Sequence, residues 1–428
     1  MTLPSETLPS ESALHFAPGD AVVPARPPMP ETTGPGQGAE AVIFIPGFNS
    51  TEQDAIRDRY LIPGLAGYPY ADPEDPAVTI EPEDPAPVKG VAAPRRLTVK
   101  VPAAAGGGTG TAGGTKQVDV YEAFWGDLVG SLSQEPLDQR LRDATTLLGF
   151  WITTPAWREK RLFLGFVSTL LMMMLWYVST AVALIAAVSR DPKQLGLFTP
   201  LRPAAQGIKD WLNTHPGLLG AWATGELHAL VDQAGRVPGW GIWGVLGVLF
   251  VVLHIAAAVD VADFARRYLQ DCAIAGGGPL QRKVHARLGG VLAAVCGSGR
   301  YERVTVVSHS LGVLVGTELM ADCPATECPV ALRYLSLGGS LSFLALRSPR
   351  IGDFARECAR KVPRWTEFNS PSDWIGSDRP VLPDSGGFRT RMIPLPGSLL
   401  RRLSGKTHSD YFRRDEVLAD ILGLGAEE

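Results

Sequence analysis

Residues 306–316 read VVSHSLGVLVG. A β-branched run enters Ser308-His309-Ser310-Leu311-Gly312, and a helical pattern leaves it. Strand, sharp turn and helix in that order are what a nucleophile elbow requires, because only a tight turn lifts a serine hydroxyl clear of the sheet. Such a turn has room only for small residues two before and two after its tip, and Ser308 and Gly312 occupy those places. Ser310 is therefore predicted to be a nucleophile. The helix N-terminus beneath it, beginning at the Leu311 N–H, offers backbone donors to an oxyanion. His309 points away from such a tip and is expected to pack or hydrogen-bond beside the pocket.

Outward from this motif the chain alternates strands and helices. Arg303–Val307 reads as the buried strand entering the turn and Leu311–Ala321 as the helix leaving it, with Gln281–Cys296 an amphipathic helix before them. Leu332–Leu337, Trp365–Asn369 and Phe388–Ile393 read as further strands, and Asp415–Leu422 as a closing helix. Far upstream, Ala41–Ile45 (AVIFI) has the continuous apolar character of a strand buried on both faces. It ends in Pro46-Gly47-Phe48-Asn49. Leu97–Val101 and Gln117–Tyr121 alternate as strands. The glycine-rich stretch between them lacks the Gly-Lys-Ser/Thr ending of a phosphate loop and is read as a hairpin connection. Residues 72–87 (DPEDPAVTIEPEDPAP) are read as a solvated loop. Together these elements predict an α/β fold with a mostly parallel sheet covered by helices on both faces.

With these motifs in place the chain resembles the α/β-hydrolase superfamily, specifically its lipase/esterase-like serine hydrolases, over residues 41–49 and about 281–423. The resemblance implies that the loop after the early strand donates a second oxyanion N–H. In Phe44-Ile45-Pro46-Gly47-Phe48 that donor is Phe48, paired with Leu311, although Pro46 stands where the family often has histidine. Chain order in the family is nucleophile, acid, base. His408, in GKTHSDYF, is the histidine that remains downstream of Ser310 and is implied as the base. The acid belongs in the loop after Trp365–Asn369, where Asp373 is the choice and Asp378 and Asp384 are the fallbacks; Asp410 is read as a solvated or helix-capping carboxylate. No metal or organic cofactor is implied.

Composition narrows the partners. Across 428 residues, 40 Lys and Arg face 44 Asp and Glu, a balance that excludes a general nucleic-acid binder. Residues 1–90 carry 14 acidic and four basic side chains, and residues 1–39, rich in Pro and Ser, are expected to be disordered. The five cysteines form no CxxC pair and read as free thiols, with Cys323–Cys328 the one disulfide alternative. Leu162–Val188 runs 27 residues without a charge, and Val237–Val259 has only His254 as a titratable group. About 20 apolar residues cross a bilayer, so both runs (162–188 and about 238–259) are expected to be transmembrane helices.

The expected organisation is thus a disordered segment 1–39 and the first part of the hydrolase domain at 40–160. An inserted transmembrane hairpin follows at 161–260, and the second part of the hydrolase domain, with the triad, at 261–428. No signal peptide is read at the start, and basic residues are more numerous beside the outer ends of the hairpin than in its loop, so the catalytic domain is expected to be cytoplasmic. Basic residues near His408 (Arg389, Arg391, Arg401, Arg402, Lys406, Arg413, Arg414) read as a charged surface, with anionic lipid headgroups as a second reading. The expectation is a membrane-anchored carboxylic ester hydrolase acting on lipid-like substrates. The alternative is a hydrolase-fold membrane scaffold or sensor without turnover.

Overall fold

The computed structural model describes residues 39–48, 52–68, 77–82, 85–101, 114–128, 146–147, 149–151, 255–271, 279–323, 330–373, 375–376, 379–398, 401–402 and 406–424. Eight strands form one sheet: β1 (Glu40–Ile45), β2 (Val78–Ile80), β3 (Arg95–Val101), β4 (Gly114–Glu122), β5 (Arg303–His309), β6 (Ala331–Leu337), β7 (Arg364–Asn369) and β8 (Phe388–Met392). Their order is β2-β3-β4-β1-β5-β6-β7-β8. The contacts from β4 through β1 to β8 are parallel, and only β2–β3 and β3–β4 are antiparallel. This is a mixed, mostly parallel α/β sheet. Strand β1 sits between β4 and β5, so segments far apart in sequence close one sheet, with Ile45 level with Ser308.

Helices cover the sheet: α1 (Ile62–Ala66), α2 (Ile255–Leu269), α3 (Leu280–Gly297), α4 (Gly312–Asp322), α5 (Leu341–Arg347), α6 (Arg350–Lys361) and α7 (Asp415–Ile421). Side chains alternate across a strand, and β1 displays the rule. Ala41, Ile43 and Ile45 enter one core, with Phe264 of α2, Leu288 of α3, Val315 of α4 and Ala355 of α6. Val42 and Phe44 enter the other, with Leu65 of α1 and Leu418 of α7. Because both faces are buried, β1 is uniformly apolar from Ala41 to Ile45, and each of its Val, Ile and Phe side chains contributes roughly 1.5–3 kcal/mol by leaving water.

Two readings are corrected. Residues 72–87 are not simply a loop, since Val78–Ile80 forms β2 against β3; two Pro-Glu-Asp-Pro flanks masked a three-residue strand. The strands before and after the glycine-rich stretch are also longer than their alternation indicated, at seven and nine residues. The run 162–188 and residues 237–254 lie outside the described residues. Residues 255–259 of the second run begin α2. Among the described residues no helix is long and apolar enough to cross a membrane.

Candidate active site

Strand β5 delivers Ser310 to the C-terminal end of the parallel strands, where α/β sheets gather their ligands. Ser310 has φ +59°, a left-handed conformation that costs a non-glycine residue roughly 1–2 kcal/mol. Its N–H donates to the Leu337 carbonyl of β6 (3.0 Å), and its carbonyl accepts from Val313 (3.0 Å) in the first turn of α4. The strain is thus held by both neighbours of the turn. Space is equally restricted. A methyl group at Gly312 would lie 2.5 Å from the carbonyl oxygens of Ile45 and Pro46. One at Gly47 would lie 2.8 Å from Ser310 Cβ and 3.2 Å from its Oγ. Only glycine at these two places lets the β1 loop lie against the serine.

That loop is braced by aromatic residues. The indole of Trp125 donates to the Pro46 carbonyl (3.1 Å), and the Phe48 ring stacks on Phe264 of α2 at 5.5 Å. Leu311 leads into α4 at the foot of the turn. The N–H groups of Phe48 and Leu311 form no hydrogen bond among the described residues.

Asp373 follows β7 by four residues and is buried, as is His408, which lies in a tight helical segment, Lys406–Arg413. His408 Nδ1 lies 2.7 Å from Asp373 Oδ2, and the Tyr411 hydroxyl donates to that same oxygen at 3.1 Å. Asp373 Oδ1 accepts from the Ile375 N–H (3.1 Å). Burial by itself would raise the Asp373 carboxyl; the charge and hydrogen bond of His408, with the Gly376 N–H and the Tyr411 hydroxyl, outweigh it and hold the group below the usual carboxylate range. With Nδ1 facing a carboxylate, His408 keeps its proton there, and Nε2 becomes the acceptor. Nε2 is buried and makes no hydrogen bond among the described residues.

His309 packs its ring 4.6 Å from that of His408, and its Nε2 lies 2.8 Å from the His408 carbonyl oxygen, which it meets as an N–H donor. Burial and the neighbouring His408 charge push His309 down to about 3, so it stays neutral at ordinary pH. His309 packs and hydrogen-bonds beside the pocket as its place in the turn implies, but neither its partner His408 nor the Tyr411 bond is legible in the sequence. Tyr411 carried a faint signal, lying three residues after His408 on one helical face; the 99-residue separation of His309 from His408 carried none.

The fallback acids lie elsewhere. Asp384 is exposed and accepts from the Thr390 N–H (2.9 Å), while Asp378 falls outside the described residues. Asp410 is not the solvated or capping carboxylate expected. It is buried, and both oxygens bind the Arg401 guanidinium at 2.6 and 3.1 Å. Arg401 is thereby committed to an intramolecular pair.

One relative among curated proteins is the "Putative carbamate hydrolase RutD" of Escherichia coli O6:H1, 30% identical over 125 residues, covering 26% of this chain and 41% of RutD. The sheet and this likeness fit an α/β-hydrolase. The chain thus spans about two fifths of the length of the curated relative it matches. No family model matches the chain, and no solved structure matches it significantly.

Proposed function

We propose that the chain is a membrane-anchored serine hydrolase that cleaves carboxylic esters of lipid character through an acyl-enzyme. Ser310 Oγ attacks the ester carbonyl while His408 Nε2 takes its proton. The Phe48 and Leu311 N–H groups stabilise the tetrahedral oxyanion, and His408 returns the proton to the leaving alkoxide. Water then repeats the sequence on the acyl-enzyme. Asp373 orients His408 and stabilises its imidazolium without taking the proton.

The observation that carries this reading is the conjunction of a strained serine at a strand–turn–helix apex with a buried Asp373–His408 pair in which Nε2 is left to accept. A serine is nucleophilic at neutral pH only with such a base. Half-buried Phe48, backed by the buried Trp125 and Phe264, offers an apolar ring beside the Gly47 loop and favours an apolar acyl group. The likeness to a carbamate hydrolase favours a second substrate class, since carbamates share the tetrahedral intermediate of esters.

Anchoring rests on the two apolar runs, 162–188 and about 238–259, and on parity. Phe48 precedes both runs and Ser310, Asp373 and His408 follow both, so the number of spans between them must be even and the catalytic body lies on one side; the excess of basic residues beside the outer ends of the hairpin favours the cytoplasmic side. In intact cells an impermeant maleimide should label an engineered cysteine within 200–230 but not one within 390–425; the reverse pattern overturns the topology.

Hydrolysis of an ester panel of graded chain length, in detergent and in bilayers, tests the activity. Wild type should turn over esters, and Ser310→Ala should lower kcat by several orders of magnitude. A Ser310→Ala variant that keeps more than about a tenth of wild-type turnover refutes the nucleophile assignment.

A further inference from the structure

The opposite end of the same strands holds a cationic pocket that the hydrolytic reading does not use. Arg303 opens β5, Arg364 opens β7, and Arg333 lies on β6 in register with Arg364. With Pro363 and Gly423 they line a depression of about 210 Å³, room for roughly seven waters at about 30 Å³ each. Lys116 of β4 reaches the same place. A methyl group at Gly423 would lie 3.1 Å from Arg303 Nη1, 3.2 Å from Arg333 Nη1 and 3.4 Å from Lys116 Nζ. Three cationic nitrogens therefore converge on one small volume, and Gly423, at φ +66°, keeps it open by having no side chain.

Internal partners do not satisfy this charge. The facing carboxylates are Glu40, which binds Lys116 (2.8 Å) and Arg303 (3.1 Å), and Asp420, which lies 3.7 Å from Arg333 and 3.8 Å from Arg364. Among the described residues four cations thus meet two anions. Arg333 Nη2 donates to the Asp420 carbonyl (3.1 Å) and Lys116 Nζ to that of Leu422, but the Asp420 carboxylate contacts are too long for hydrogen bonds, which leaves both its oxygens without a partner among the described residues. Arg333 is 8% exposed, and its Nε is buried without a hydrogen-bond partner among the described residues. An unsatisfied buried guanidinium costs free energy that an oxyanion would recover. Burial, with Arg364 and Arg303 alongside, pulls Arg333 down from its usual range, and burial does the same to Lys116. Burial leads both shifts and neighbouring like charge adds to them, and an added anion would counter both.

We propose that Arg303, Arg333, Arg364 and Lys116 form a binding site for a phosphate monoester. A surplus of two positive charges matches a phosphate dianion, and the arginine fork matches its oxygens in pairs. The seven residues from Arg303 to Ser310, at about 3.3 Å each, put the site roughly 20 Å from the serine. It is a second site, and it does not depend on Ser310 being a nucleophile.

Calorimetric titration of the full chain in detergent tests this with two probes, inorganic phosphate and a water-soluble short-chain phosphatidate. Saturable binding of one equivalent is expected. Binding of both probes points to free phosphate esters, and binding of phosphatidate alone points to a lipid headgroup; either supports the site. Arg333→Gln and the more peripheral Arg364→Gln should each weaken binding by about tenfold or more. Arg356→Gln, which removes the same charge from the exposed face of α6, should change it less than about twofold, and Ser310→Ala should bind as wild type. Failure of both probes to saturate, an Arg364→Gln variant that binds as wild type, or equal weakening by Arg356→Gln would overturn the site while leaving the hydrolase reading intact.

Discussion

At the C-terminal ends of β5 and β7, Ser310 and Asp373 lie in a crowded setting in which one carboxylate faces two stacked imidazoles, His408 and His309. At the N-terminal ends of the same strands, Arg303 and Arg364 belong to a group of four cations facing two carboxylates across an open depression. One end fixes its groups by strain, a positive φ at Ser310 and glycines that admit no methyl. The other fixes them by long side chains and leaves charge over. The contrast separates two kinds of chemistry on one sheet. Moving a proton needs position held to a fraction of an ångström, whereas holding an anion needs surplus charge.

Substitutions at the first end should therefore change rate. Asp373→Asn should be the most severe, lowering ester turnover by up to about 10⁴-fold, because an amide neither fixes the His408 tautomer nor stabilises its imidazolium. Steady-state kinetics check it, and a mild loss would break the comparison at its strongest point. His309→Phe keeps a ring against His408 but removes the donor to its carbonyl. We expect kcat to fall about 10- to 100-fold with KM unchanged, as a misplaced base would produce; unchanged kcat would reduce His309 to packing.

Acid should also discriminate between the ends. His309, with a folded-state value of about 3 against 6.5 for the free side chain, contributes stability that is present above 6.5 and lost as pH falls toward 3. Asp373, also depressed, adds a loss below its ordinary value of 3.8. Buried Glu122 and Glu367, both pushed up to about 7, act in the opposite direction, so the His309 contribution is read as a difference: on going from about pH 7 to pH 4.5 in urea unfolding, His309→Phe should gain on the order of 2 kcal/mol relative to wild type. An identical pH dependence in wild type and variant would place the acid sensitivity elsewhere. The smallest effect belongs to Asp384→Asn. Its side chain serves an exposed turn, so turnover should be unchanged and stability within about 0.5 kcal/mol. A crippled Asp384→Asn variant would move the acid one loop along.

These ends differ also in how they showed in the sequence. The elbow was legible because steric rules write it into adjacent residues: β-branched strand, small residues around Ser310, helical pattern. Asp373 and His408 were legible because chain order constrains them. The cationic site was not, because Lys116, Arg303, Arg333 and Arg364 come from four strands that only the sheet brings together. The burial of Asp410 was missed for a related reason, since its partner Arg401 looked like one more member of an exposed basic set. Strand β2 escaped because three residues between proline-rich flanks carry too little periodicity to register.

The central claim is that Ser310 is an activated nucleophile, and covalent capture tests it most directly. The folded full-length chain would be treated with a fluorophosphonate, and the modified peptide mapped by mass spectrometry. The account predicts one adduct, on Ser310, which Asp373→Asn slows and Ser310→Ala abolishes. A folded chain that stays unlabelled, or that carries its adduct on another residue, would contradict it.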